Sequence, residues 1–468
     1  MTLLGFMRQL TEEELLKRLA FDNPWWETGK ISELYRDLPH RRYFDVMMTL
    51  TLEKNVRRAI ILMGPRRVGK TVMIHQTIQF LIDKKNVAPD RILYVSLDTP
   101  TYSAMHLEDF VSHFRERFGH TQKTPLYIYF DEIQYHKDWE IHLKSLVDSY
   151  PHIHFCASGS AAAALKLKSA ESGAGRFTDF TLPALTFREF LSLRKVPEAL
   201  ILQPDEHITK LNKEFIDYLN FGGFPESAIF SKSGTDMRRF IGHDIIDKVL
   251  LRDLPNLYGI ADTQELNRLF SALAFNTGNE VKLDKLSQNA GIAKNTLKKY
   301  LEYLEASFLI RRIERVDYNA RHFKRAMAFK VYLTNPSMRA ALFGNVKTDD
   351  QAMGGLAETA VITHTRLENI HYARWDGGEV DLVQMDRFQQ KPLKAIEVKW
   401  TDRFASTPHD LKGLLSFAGK NNLPEVTVLG KTSHAPVTIQ NATIRFEAIS
   451  SYCVRNYISG FDSDRDSE

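Results

Sequence analysis

Only two cysteines, Cys156 and Cys453, occur in 468 residues. Neither sits in a cysteine–histidine set at zinc-ligand spacing. So few thiols in so long a chain exclude a disulfide framework and fit a reducing compartment. Long apolar runs are also missing, since no stretch approaches the roughly 20 residues of a membrane span. The opening MTLLGFMRQLTEEELLKRLA reads as a short amphipathic helix, acidic from Glu12 onward, with neither an h-region nor a cleavage site. A cytoplasmic protein without membrane contact is therefore expected. Charge of one sign is in small excess, 62 Lys plus Arg against 58 Asp plus Glu. Total charge alone thus gives no reason to expect nucleic acid. No internal repeat and no low-complexity block is present.

What remains is an ordinary globular composition, 43% hydrophobic and 26% charged, long enough for about three domains. Residues 1–45 form a lead-in, irregular over 21–43, in which Trp25 and Trp26 are read as packing anchors. Over 46–190, short apolar runs alternate with helical stretches: AIILMG, RILYVSL, LYIYFDEI, HIHFCASGS and TDFTLPAL. Such near-continuous runs separated by helices predict an α/β layer with a parallel sheet buried on both faces. Helices follow over 191–275, broken at FGGFPES, then a helix-turn-helix segment at 276–335. Strand-like runs return in 345–460, and the polar 461–468 is expected to be disordered.

GPRRVGKT, Gly64 to Thr71, fits G-x-x-x-x-G-K-[ST] between an apolar strand and a helical stretch. The segment Gly64, Pro65, Arg66, Arg67, Val68, Gly69, Lys70 and Thr71 is expected to wrap nucleotide phosphates with backbone N–H groups. Lys70 would reach the β- and γ-phosphates of ATP, and the Thr71 hydroxyl would hold magnesium. Arg66 and Arg67 are as readily solvated as phosphate-bound. LYIYFDEIQ ends a strand in Asp131, expected to orient magnesium, and Glu132, expected to polarise the attacking water. Ser158, ending CASGS, is read either as a γ-phosphate sensor or as a small residue capping its strand. Arg176, ahead of the fifth run, is read as an arginine finger or sensor, or else as a surface ion pair.

Together GPRRVGKT, YFDEIQ, ASGS, GRFTDFTLPALTFREF, FGGFPES and KVYLTNP resemble a prokaryotic family of AAA-superclass P-loop ATPases fused to a C-terminal domain of unknown function. The resemblance spans about residue 25 to residue 400. It implies an ATPase core, a helical lid, a winged helix and a restriction-endonuclease-like tail, with ATP and Mg2+ as cofactors. It implies no agreed cellular role. Asn335 departs from the pattern, where aspartate is expected after the YLT strand.

The stretch LDKLSQNAGIAKNTLKKYLEYLEASFLIRRI reads as helix, turn at Ala290-Gly291, second helix and strand. Leu283, Leu286, Ala290, Ile292, Leu297, Tyr300, Leu301 and Leu304 supply its apolar face. Between residues 281 and 330, 12 Lys plus Arg and 5 Asp plus Glu give 12 − 5 = +7, against +4 for the whole chain. Lys294, Asn295, Lys298 and Lys299 on the second helix are candidate DNA contacts; packing or oligomer contact is the competing reading. In the tail, Asp381 in GGEVDLVQ and Glu397 and Lys399 in AIEVKW alternate like strands, and Glu358 sits in the helix-like GGLAETAVITHTRL. Residues two apart on a strand share a face. The set resembles the catalytic core of the restriction-endonuclease-like fold, which implies magnesium-dependent phosphodiester chemistry.

Three functions fit these residues. One is an ATPase switch acting on DNA or a protein partner. The second is an ATP-gated DNA nuclease, and the third a regulatory ATPase unrelated to nucleic acid. A homo-oligomer is consistent with each.

Overall fold

A computed structural model describes residues 11–53, 57–102, 105–159, 175–230, 234–321, 328–365 and 367–456. The readings made for residues 1–10 and 461–468 lie outside them. The chain forms two compact units, one of residues up to 65 with 69–183, the other of 66–68 with 184–458.

The first unit is built on a five-stranded sheet. Its strands are β1 (Ala59–Met63), β2 (Ile92–Ser96), β3 (Leu126–Asp131), β4 (Ile153–Gly159) and β5 (Phe177–Thr181). They run parallel in the order β2-β3-β4-β1-β5. Every residue of β1 and β3 is buried, as a sheet covered on both faces requires. Helix α1 (Lys70–Lys85) follows the GPRRVGKT loop.

Strand β2 is an edge, and an open edge leaves backbone groups unpaired. The lead-in supplies the missing partners. Asn23 donates to the Tyr94 carbonyl at 2.9 Å and accepts from the Tyr94 N–H at 2.7 Å. Both indole N–H groups, Trp25 at 3.1 Å and Trp26 at 2.8 Å, donate to the Ile92 carbonyl. Stretches expected to be irregular contain short helices at Trp25–Thr28 and Glu33–Arg36. Gln76 of α1 donates to the carbonyls of Tyr35 and Leu38, which fixes the lead-in along that helix.

The second unit carries a mixed nine-stranded sheet. Its strands are β6 (Glu280–Lys282), β7 (Ile310–Val316), β8 (Ala328–Leu333), β9 (Ile370–Trp375), β10 (Gly378–Met385), β11 (Pro392–Val398), β12 (Glu425–Gly430), β13 (His434–Ile439) and β14 (Ala442–Ala448). The order is β13-β14-β12-β11-β10-β9-β7-β8-β6. Helices α2 (Leu283–Ala290) and α3 (Lys294–Ala306) follow β6, joined at the left-handed Gly291. The segments 276–335 and 345–460, read separately in the sequence, share this one sheet. Strand β7 pairs in parallel with β9 through Arg315 with Tyr372 and Val316 with Ala373.

Helix α4 (Met353–His364) covers the same sheet. Its Leu356, Ala357, Ala360 and Val361 share a buried core with Phe187, Phe190, Phe215 and Tyr218 from the helical stretch after β5. Part of the stretch expected to form a lid is therefore core of the second unit. The Phe187 N–H donates to His364 Nε2 at 2.6 Å. Burial lowers His364 to about 4, so the ring is neutral and accepts.

The FGGFPES and KVYLTNP blocks meet in space. Gly223 has φ +96°, and a Cβ there would lie 1.7 Å from Asn335 Nδ2. The Ser337 hydroxyl donates to the Gly222 carbonyl and to Asn335 Oδ1, both at 2.6 Å. The asparagine that departs from the family pattern is thus a packing residue at this junction. Gly223→Ala combines a left-handed backbone with that overlap, and should destabilise the second unit by more than about 2 kcal/mol. Denaturant unfolding of the full chain measures it.

Candidate functional site

In a parallel sheet the carboxyl ends of the strands lie at one edge, where loops gather ligand-binding groups. Here β1 delivers the loop 64–69, β3 delivers Asp131 and β4 delivers Ser158. The strand order puts β4 between β1 and β3, so Ser158 falls between the two motifs. Asp131 is 2% exposed. Its Oδ2 accepts from the Thr71 hydroxyl at 2.7 Å and the Tyr94 phenol at 2.9 Å. Its Oδ1 accepts from the Ser158 hydroxyl and from the Glu132 N–H, the latter at 3.1 Å. One buried carboxylate thus gathers four donors, none of them charged.

Lys70 is buried and its ammonium donates to the carbonyls of Gly64 at 3.1 Å and Pro65 at 2.9 Å, spanning the mouth of the loop. Glu132 is half-buried with φ +55°, and its carboxylate accepts from the Gln134 amide. That left-handed backbone is uncommon for a residue with a side chain. Arg66 to Val68 pack with the second unit. There Arg66 pairs with Asp253 at 3.2 Å and Arg67 with Glu226 at 3.4 Å. Both arginines of the loop therefore have carboxylate partners, an alternative to the phosphate contact weighed for them.

Two groups beside Asp131 escape sequence reasoning. Tyr94 lies on the neighbouring strand β2; burial and Asp131 hold its phenol well above the ordinary value, so it stays a donor. His75, one turn after Thr71 on α1, stacks on Tyr35 at 4.3 Å and meets Tyr94 at a tilt, centroids 4.6 Å apart. Burial lowers it to about 4, leaving a neutral ring behind the carboxylate. The i, i+4 spacing of Thr71 and His75 was the available signal; that Tyr94 adjoins them depends on strand order.

Arg176 lies away from the P-loop, and its ion pair matches one of the two readings made for it. It precedes β5 at the amino end of the sheet, where its carbonyl accepts from Ala59 at the start of β1. It is exposed enough to form a surface ion pair with Asp148. The length of a five-residue strand, about 16 Å at ~3.3 Å per residue, separates it from the end that carries the P-loop.

On α3, Asn295, Lys298 and Lys299 are exposed, whereas Lys294 pairs with Asp284. Leu283, Ile292, Leu297, Tyr300, Leu301 and Leu304 are buried as expected; Leu286 is half-buried and Ala290 exposed. The positive charge counted over 281–330 is only partly on the surface. Arg311 donates to the Ile362 carbonyl at 3.1 Å, Arg312 pairs with Glu305 at 2.7 Å, and Lys330 is 4% exposed.

The tail residues converge. Asp381 on β10 and Glu397 on β11 are 2% and 7% exposed. Lys399 bridges them, at 3.1 Å to Asp381 and 2.8 Å to Glu397. Glu358 comes from α4, which approaches closely because residue 355 is glycine: a Cβ there would lie 2.7 Å from the Thr277 carbonyl. A fifth member, Lys330 of β8, was missed. Its ammonium reaches Glu358 at 2.8 Å and Asp381 at 3.1 Å. Lys330, Glu358, Asp381 and Lys399 border a cavity of about 670 Å3. Burial alone would raise Asp381, but Lys330 and Lys399 pull it below the ordinary range. Burial, aided by Asp381, raises Glu358 and Glu397. For both lysines burial acts downward and the carboxylates outweigh it, so each stays protonated.

Residues 56–191 match the family model of an AAA domain, and residues 212–349 that of a domain of unknown function (DUF8612). The chain is similar to an uncharacterized protein of Haemophilus influenzae, 24% identical over 384 residues that cover 79% of this chain and 88% of that protein. It is also similar to the uncharacterized protein MJ1637 of Methanocaldococcus jannaschii, 27% identical over 388 residues, 76% of this chain and 77% of that one. Among solved structures it resembles the Aeropyrum pernix ORC1 protein in complex with DNA, at 12% identity and TM-score 0.30, covering 68% of this chain and 96% of that one. The replication initiator DnaA bound to AMPPCP and single-stranded DNA gives 15% and 0.28, covering 60% and 91%. Likenesses of that size carry nothing about ligand or partner. No helix among the described residues is long and apolar enough to cross a membrane.

The raised Glu397 fixes a pH dependence. Its ordinary value of 4.5 rises to about 8 in the fold, so within that window the folded chain holds more proton than the unfolded one. Stability contributed here is complete below the window and is lost as pH rises through it. Glu397→Gln should flatten the decline in denaturant midpoint between pH 5 and pH 8 (about the span of the window), measured on the full chain.

Proposed function

We propose that this chain, which carries an AAA P-loop ATPase domain followed by a domain of unknown function, hydrolyses ATP and uses its nucleotide state to control contact with nucleic acid. The observation that carries the first part is the buried Asp131 carboxylate, met by Thr71, Ser158 and Tyr94 at the edge where the Gly64–Thr71 loop opens. Magnesium is hard and takes oxygen ligands. The Thr71 hydroxyl and Asp131 carboxylate, 2.7 Å apart, are such a pair, and the uncharged donors around Asp131 leave its negative charge uncompensated. The residues fit the ion, which when bound would neutralise charge on the phosphates.

Backbone N–H groups of the loop and the Lys70 ammonium bind the phosphates. Glu132 orients water and accepts its proton, steadied by Gln134. Ser158 sits between the motifs, placed to report whether the terminal phosphate is present. Arg176, remote from its own chain's nucleotide, is assigned to a neighbouring subunit's site in a homo-oligomer. Contact with nucleic acid is assigned to Asn295, Lys298 and Lys299 on α3, in the winged-helix reading of β6 to β8. The β9 to β14 region corresponds to the restriction-endonuclease-like tail.

Phosphodiester cleavage is the second reading, favoured by Glu358, Asp381 and Lys399 bordering one cavity, with Glu397 paired to Lys399. A divalent ion does not fit this arrangement, because Lys330 and Lys399 already engage the oxygens it needs. Supercoiled plasmid with magnesium and ATP discriminates: ATP consumed without cutting supports the switch, and cutting lost in Lys399→Ala overturns it in favour of the nuclease.

Lys70→Ala should abolish ATP binding, measured with a fluorescent analogue. Glu132→Gln should bind ATP normally and release phosphate about 100- to 10,000-fold more slowly; full turnover would mean another base. Replacing Lys298 and Lys299 together by alanine should weaken duplex binding similarly for all sequences. It should also lower the slope of log affinity against log salt by about 2. Unchanged binding would assign α3 to packing.

A further inference from the structure

The geometry points to Lys330 as a resident cation: its ammonium stands between Glu358 and Asp381 where a divalent ion would sit, so that the tail cluster admits such an ion only when this side chain is removed or withdrawn. This rests on the carboxylate-cluster reading of the tail and is independent of the ATPase reading.

Strand β8 reads AFKVYL and is buried at every position. Lys330 is the one charged residue in it. A buried ammonium is costly unless paired, so its place in an otherwise apolar strand is explained by what it meets. The cluster alternates in sign: Glu358, Lys330, Asp381, Lys399, Glu397, each lysine bridging two carboxylates. Asp381 Oδ1 is taken by Lys330, and Oδ2 by Lys399 and the Val398 N–H at 3.0 Å. Glu358 Oε1 accepts from Lys330 and from the Tyr332 phenol at 2.5 Å.

A divalent ion binds carboxylate oxygens at about 2.0 to 2.6 Å. An ammonium held at 2.8 and 3.1 Å from two carboxylates occupies that volume, and both cannot be there. Among the described residues, the ligand atoms of Glu358, Asp381 and Glu397 do not come close enough to share one ion; those that do belong to Glu12, His113 and Glu116. Glu397 is 7% exposed and its Oε2 is buried without a partner. Lys330 is the cation that Glu358 and Asp381 share, and losing it would leave those two groups facing each other with nothing between them. Repulsion between them disfavours the fold and favours capture of a divalent cation.

The test is the thermal unfolding midpoint of the full chain without nucleotide, with and without 1 mM Mn2+ (about the concentration at which a weak site fills). All proteins carry Asp131→Asn, which removes the P-loop metal position. With the tail unaltered, Mn2+ should move the midpoint by less than about 1 °C. Lys330→Met, similar in volume, should lower the midpoint, and Mn2+ should restore about 3 °C or more. Adding Asp381→Asn should abolish the rescue. If Lys330→Met does not fold unaided, refolding in Mn2+ but not in its absence supports the proposal; failure in both overturns it. A Mn2+ shift with the tail unaltered that Asp381→Asn removes also overturns it, since the site would then load with Lys330 in place.

Discussion

A carboxylate withdrawn from water must be met by donors or it will not stay ionised in the fold. That constraint organises the first unit around Asp131. Its four donors come from α1, β2, β4 and its own backbone, so each of these elements has a fixed register against β3. Tyr94 can reach it only if β2 is held as an edge strand. That edge is closed by Asn23, Trp25 and Trp26. The lead-in is therefore a structural part of the nucleotide site although none of its residues need touch nucleotide.

The second unit meets the same constraint at Asp381 with the opposite chemistry. Asp131 is met by hydroxyls, a phenol and an amide, all neutral, which satisfy its hydrogen bonds and leave its charge. Asp381 is met by two ammoniums and one amide, which satisfy both. Burial is equal, at 2% exposed in each, so depth does not distinguish them. The identity of the donors does: an anion surrounded by neutral donors still attracts a metal, whereas one held between lysines has its cations already. Donor identity, not depth, therefore sets the two carboxylates apart.

What the sequence reveals of these sites follows from how local each feature is. The Gly64–Thr71 loop, Asp131 and Ser158 are carried by short motifs at strand ends. Four of the five runs read as strands match β1 to β4 within two residues, and TDFTLPAL runs four residues past the end of β5. The E-x-K pair is similarly local. Tyr94 and Lys330 are not, because each becomes part of a site only through sheet order, β2 beside β3 in one case and β8 in the nine-stranded sheet in the other. Nothing in RILYVSL or AFKVYL states which strand lies alongside. A lysine in the middle of an apolar strand was the one signal on offer, and it was counted as surface charge instead. The place of Arg176 is non-local in the same way: its sequence position says that it precedes β5, but only parallel pairing with β1 says which end of the sheet that is.

Charge counting must be reread accordingly. The excess over residues 281–330 suggested a basic face, yet Lys330 neutralises buried carboxylates, Arg311 holds a carbonyl of α4, and Arg312 and Lys294 have acidic partners. An ammonium committed to a buried pair contributes little field outside the protein and displaces no counterion from a phosphate backbone. On α3 the exposed lysines are Lys294, Lys298 and Lys299, and Lys282 and Lys285 are exposed just ahead of it. Such a footprint gives strongly salt-dependent attraction.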